Sequence, residues 1–156
     1  MHNTGQNVNG TTGTDDKDID APEAWDITIG ADRVAVAVID SGVDGSHPDL
    51  SANLWTNSGE IPGNGLDDDG NGYVDDIRGW DFANKDNNPA DDNGHGTHVT
   101  GIIAAVVNNG IGVAGVAWNA KIMALKSFRA DGSGLTSDAI LAIAYANLMG
   151  ADVINN

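Results

Sequence analysis

Val34-Ala35-Val36-Ala37-Val38-Ile39 is apolar without a break and runs directly into a carboxylate, Asp40, followed by Ser41-Gly42. An unbroken Val-rich run of this length fits a strand covered on both faces, as in the interior of a parallel sheet. Parallel strands must be joined by crossovers, so this run constrains the chain to α/β architecture with right-handed connections. Functional groups of such sheets gather outside the carboxyl ends of the strands, and Asp40 stands at that end.

The rest of the chain reads consistently with this frame. Lys121–Lys126, around Ile122-Met123-Ala124-Leu125, is predicted as a second interior strand, and Ala151–Asn155 begins a third. Ala21–Trp25 is predicted as a short helix with Pro22 in its first turn. Over Thr97–Val107 the spacing is helical: Val99, Ile102, Ile103, Val106 and Val107 form one face, and Gly101, Ala104 and Ala105 keep the other small. Ser137 is the expected cap of a further helix to Met149, with Asp138 near its positive end and Gly150 just beyond it. Residues 1–18 read as an N-terminal arm with little regular structure. Residues 41–93 read as a long loop-rich insertion with an apolar island at Trp80-Asp81-Phe82.

Charge narrows the partners. The formal net charge is −16 with seven basic residues, which argues against nucleic acid and anionic membrane surfaces. No stretch reaches transmembrane length, and the polar start Met1-His2-Asn3-Thr4-Gly5-Gln6 has no signal-peptide core. There is no Cys, so disulfides and thiol chemistry are excluded. Carboxylates concentrate between Glu60 and Asp92, where Arg78 and Lys85 are the sole counter-charges. Bound cations would relieve that repulsion; a solvated acidic loop is the alternative.

Within this stretch Asp67, Asp69, Asn71, the Tyr73 carbonyl and Asp75 fall at the ligand positions of an oxygen-lined calcium loop, with Gly72 at its sharp turn. Arg78 occupies the position of the closing bidentate Glu, so Asp76 or Asp81 is the expected source of the missing oxygen.

Asp40 by itself could orient a histidine, hold magnesium or cap a turn. His95, between Gly94 and Gly96 at the start of an apolar helix, favours the first role. A helix N-terminus is expected to hold its imidazole neutral, which suits a general base. A structural histidine bonded to a backbone carbonyl is the plainer alternative. Magnesium-dependent phosphotransfer on Asp40 and Asp44 would leave His95 unexplained. His47 and His98 are read as packing residues, because a zincin-type helix needs a Glu and a wider spacing.

Asp40-Ser41-Gly42-Val43-Asp44-Gly45-Ser46-His47-Pro48-Asp49-Leu50 and Asn93-Gly94-His95-Gly96-Thr97-His98-Val99-Thr100-Gly101 together closely resemble the Asp and His motifs of the subtilisin-like serine proteases, the subtilases. The resemblance implies a three-layer subtilisin-like α/β fold with a mostly parallel sheet, truncated after its first several strands, over residues 19–156. It implies that Asp40 orients His95, that His95 is the general base, and that the substrate is a polypeptide. It places Phe128 along the substrate cleft and Gly132-Ser133-Gly134 at its edge, where an extended peptide would add as a strand. It also implies a second calcium site from Asp49, Asn109 and the carbonyls of Val107, Ile111 and Val113, with Asp16 or Asp18 of the arm as a further ligand. An extracellular location follows from the same resemblance.

The family's Gly-Thr-Ser-x-Ala nucleophile motif does not occur in these residues, nor does the oxyanion-donating Asn. The chain alone is therefore expected to be inactive. The alternative is a pseudo-protease or interaction module that pairs, through an open sheet edge after Asn155, with a fragment carrying the missing half or with itself.

Overall fold

A computed structural model describes residues 4–30 and 32–156. The chain divides into two compact units, Met1–Gly30 and Ala31–Asn156.

In the first unit, β1 (Asn7–Val8) pairs antiparallel with β2 (Thr11–Thr12). The arm is therefore not wholly irregular. Asn9 and Gly10 both take positive φ, 50° and 83°, which is the signature of the two-residue turn that matches strand twist. The predicted short helix is α1 (Ala21–Trp25), with Pro22 in its first turn.

The second unit carries a four-stranded parallel sheet built from β3 (Ala35–Asp40), β4 (Gly79–Asp81), β5 (Lys121–Lys126) and β6 (Val153–Asn155). Its spatial order is β4-β5-β3-β6. In register, Asp40 lies beside Lys126, at the carboxyl ends of β3 and β5. Every residue of β3 is buried, as an unbroken apolar run requires.

Alternation along β3 and β5 sends side chains to two cores. Val36, Val38, Ile122 and Ala124 pack with Val43, Leu50, Leu54, Ala104 and Ala105. Ala37, Ile39, Met123 and Leu125 pack with Phe82, Ala142, Tyr145 and Ala146. Helix α2 (His95–Ala104) covers the first face and α3 (Thr136–Leu148) the second, giving the expected three-layer α/β arrangement.

Four expectations change. The island Trp80-Asp81-Phe82 lies at β4, which pairs with β5 from Gly79↔Ala124 to Asp81↔Lys126. Helix α2 ends at Ala104 rather than Val107: Ala105 turns extended, and the Val106 N–H donates to the Asp49 carbonyl at 2.7 Å. Gly96, Thr100 and Ala104 are buried, and Val99 and Ile103 pack half-buried against the first core as expected, whereas Ile102 is exposed. Finally, α3 begins at Thr136, so Ser137 lies in its first turn instead of capping it. The Leu135 carbonyl accepts from Asp138 and Ala139, and an antiparallel bridge between Phe128 and Gly134 anchors the preceding segment. The far end of α3 follows expectation: Gly150 takes φ 73° and the Ala151 N–H returns to the Ala146 carbonyl at 2.9 Å. Among the described residues no helix is long and apolar enough to cross a membrane.

Candidate active site

Asp40 ends β3 and His95 opens α2, so sheet and helix each deliver one group to the same point. His95 Nδ1 lies 2.8 and 2.9 Å from the two Asp40 oxygens. An ionised carboxylate only accepts, so Nδ1 carries the proton and Nε2 is left as the acceptor facing away from Asp40. Asp40 also accepts the Ser41 N–H at 2.7 Å, which holds the carboxylate in place. Burial separates the partners: the Asp40 side chain is 11% exposed and that of His95 67%. The imidazole thus has one nitrogen on a shielded carboxylate and the other open to an incoming group.

Gly96 makes this closeness possible. A Cβ there would collide with the Gly42 carbonyl oxygen and lie 3.1 Å from the Asp40 Cβ. The expectation that the helix end keeps His95 neutral is reversed. Its pKa is raised from the ordinary 6.5, first by the hydrogen bond to Asp40, then by that carboxylate's charge and by Asp91, against the opposing effect of burial. A full negative charge in direct contact outweighs the partial positive charge of a helix end.

A cleft of about 380 Å³ lies over the pair, lined among others by Asn93, Phe128 and Gly132. Phe128 and Gly132 therefore come together with Asp40 and His95. Ser133 and Gly134 build the turn that carries Gly132: the Arg129 N–H donates to the Ser133 carbonyl at 2.8 Å, and the Ser133 N–H to Asp131 at 2.8 Å. Gly134 packs so tightly that a Cβ would strike the Phe128 ring and the Ser127 carbonyl.

The acidic loop is arranged differently from its spacing. Glu60, Asp67 and Asp69 offer oxygens within 4.8 Å of one another, a hard-donor group suited to a divalent cation. Glu60 was not among the predicted ligands; it sits too far from the loop in sequence for motif spacing to find it. Asp75 faces elsewhere, accepting the N–H groups of Gly63, Asn64 and Gly65. Asn71 donates its side-chain amide to Asp69 and Asp76. Asp76 points into the core, where it also accepts Asn57 at 2.7 Å and the Tyr145 hydroxyl at 2.5 Å. Burial, that hydrogen bond and the Asp76 charge all push the Tyr145 pKa up. The Tyr73 ring stacks edge-on against Trp80 and Tyr145 and ties the loop to the same core.

Around the second predicted site, Asp49 is buried and accepts the Asn109 amide at 2.8 Å and the Val113 N–H at 2.9 Å. The Val113 N–H, then Asn109, hold its carboxyl below the ordinary range against burial. The Asn109 oxygen is taken by the Ile111 N–H, and Val107 is half-buried in the same loop. This arrangement gathers Asp49, Asn109 and Val113 at one point, with the carboxylate held by N–H donors as those of Glu60, Asp67 and Asp69 also are. His47 accepts the Asp49 N–H at 3.2 Å, whereas His98 is exposed. Asp44 is engaged by Ser46 through its hydroxyl and its N–H, apart from Asp40.

The subtilase family profile matches residues 31–156. Subtilisin-like protease 1 of Plasmodium vivax is 47% identical over 131 residues, 81% of this chain and 21% of that protein. Thermitase of Thermoactinomyces vulgaris is 39% identical over 137 residues, 88% of this chain and 41% of that protein. Among solved structures, a cold-adapted subtilisin-like serine proteinase matches with a TM-score of 0.54 and 28% identity, over 77% of this chain and 33% of that one. The chain thus spans about a fifth to two fifths of the length of these relatives. Its sheet, its Asp–His geometry and these matches agree: the chain belongs to the subtilase family.

Proposed function

We propose that this chain supplies the acid–base half of a calcium-binding, extracellular serine endopeptidase, with the peptidase portion running over residues 19–156. The contact of His95 Nδ1 with both Asp40 oxygens carries this reading. In it, Asp40 fixes the tautomer and steadies the imidazolium. Nε2 takes the proton of a serine hydroxyl and returns it to the leaving amine. Phe128 and Gly132 border the bound peptide.

These 156 residues contain no Gly-Thr-Ser-x-Ala segment, so the chain by itself performs no turnover. A serine-directed phosphonate probe and a fluorogenic peptide test this: the expected result is neither labelling nor cleavage, and stoichiometric labelling of this chain would overturn it. Calcium would be held by Glu60, Asp67 and Asp69, where it would neutralise a concentration of carboxylates.

A second reading, pairing with a complementary fragment or a second copy, draws on β6. Its three residues are exposed and pair with β3 on one side. Solution mass with and without a serine-bearing fragment checks it, and a mass unchanged in both cases would exclude it.

A further inference from the structure

The two carboxylates ahead of His95, Asp91 and Asp92, both reach Ser41, by different routes. Asp91 Oδ1 accepts the Ser41 hydroxyl at 2.8 Å and the N–H groups of Asn93 and Gly94 at 3.0 and 2.9 Å. Its Oδ2 accepts the Thr97 N–H at 2.9 Å and the Thr97 hydroxyl at 2.6 Å. Ser41 Oγ in turn accepts the Gly96 N–H at 3.0 Å. Asp92 pairs with Lys126 Nζ at 2.5 Å, and the same ammonium donates to the Ser41 carbonyl at 2.6 Å and the Phe128 carbonyl at 2.9 Å. Lys126 is 1% exposed, yet its charge is paired and its three N–H groups have three acceptors.

Every backbone segment adjoining the catalytic pair is therefore tied. Residues 93, 94, 96 and 97 flank His95, Ser41 follows Asp40, and Phe128 borders the cleft. We propose that Asp91, Ser41 and Lys126 form a brace that positions the His95 imidazole on Asp40, with Asp91 as its central positioning residue. The inference rests on reading Asp40 and His95 as the acid–base pair. A plain helix cap would need one or two bonds to the N-terminus of α2. Asp91 adds a bond across to the strand that carries Asp40, so it couples the two elements. Its own carboxyl is held well below the usual range, because the Thr97 hydroxyl and the Gly94, Asn93 and Thr97 N–H groups overcome the effect of burial. Asp40 and Asp91 both favour the imidazolium.

The test follows the His95 ring in the isotope-labelled 156-residue chain by NMR, reading its titration midpoint and its Nδ1 proton, with circular dichroism to check the fold. Asp91→Asn is expected to lower the midpoint, by less than Asp40→Asn does, and to make the Nδ1 proton exchange faster. Ser41→Ala keeps every charge; it is expected to speed exchange of that proton with a smaller change in midpoint. If Asp91→Asn fails to fold, Ser41→Ala decides alone. An Nδ1 proton unchanged in a folded variant overturns the brace. Asp40→Asn separates the two claims. Loss of the proton signal there, with no effect of Asp91→Asn or Ser41→Ala, overturns the brace and leaves the acid–base pair standing. No effect of Asp40→Asn overturns both.

Discussion

At His95 the folded pKa lies above the ordinary 6.5 because the imidazolium gains Asp40 as a partner. The stabilisation is present in full below the ordinary value and is lost as pH rises through the raised one. Replacing Asp40 with Asn is expected to remove that dependence, seen as a denaturant midpoint that no longer falls across neutral pH. Asp49 behaves oppositely: its lowered folded pKa gives stabilisation above the ordinary 3.8 that is lost as pH falls through the lowered value. Tyr145 and Asp76 meet at 2.5 Å inside the second core, so Tyr145→Phe deletes a hydrogen bond to a buried carboxylate. The expected loss is about 1.5–3 kcal/mol, measured by urea unfolding. Little of this pairing was legible in the sequence. Asp76 could be named as a possible calcium ligand, but nothing in the local pattern says that its oxygens turn inward to a tyrosine far along the chain.

Elements decide how closely such groups approach. Helix α2 lies against the end of β3 on Gly96, Thr100 and Ala104. Gly96→Ala is expected to push the helix off the Gly42 carbonyl and destabilise the protein by about 1–3 kcal/mol. The same change should lengthen the His95–Asp40 contact, read as faster exchange of the Nδ1 proton. Strands β3 and β5 were legible because a fully covered strand needs no partner information: Ala35–Ile39 and Ile122–Leu125 are apolar without a break. The short β4 was not. Gly79–Asp81 has three residues, one of them a buried carboxylate, and its assignment depends on pairing with β5. The buried face of α2 was legible in part: Val99 and Ile103 pack on the first core, but Ile102 is exposed and the fully buried positions are Gly96, Thr100 and Ala104.

The whole molecule carries a net charge of −16, and its acidic loop is joined to the second core through Tyr73 and Asp76. A cation at Glu60, Asp67 and Asp69 would bind the folded chain alone and stabilise it. The expected gain is about 2.7 kcal/mol at a hundredfold excess over the dissociation constant. Thermal unfolding with calcium and then with EDTA checks this: the midpoint should rise with the first and fall with the second. Glu60→Gln should reduce the response, and a midpoint indifferent to both additions would remove the site.

Sequence alone determined the α/β class, the two long motifs and the identities of Asp40 and His95. Each depends on residue type and near-neighbour spacing, which the linear chain displays. Tertiary structure decided the rest: Glu60 joining Asp67 and Asp69, Asp75 leaving them, and Asp91 and Lys126 converging on Ser41. It also decided the protonation preference of His95, since a carboxylate 55 positions away overrides the local effect of a helix end. Electrostatic and hydrogen-bond partners are chosen by distance in space, and the sequence records distance only along the chain.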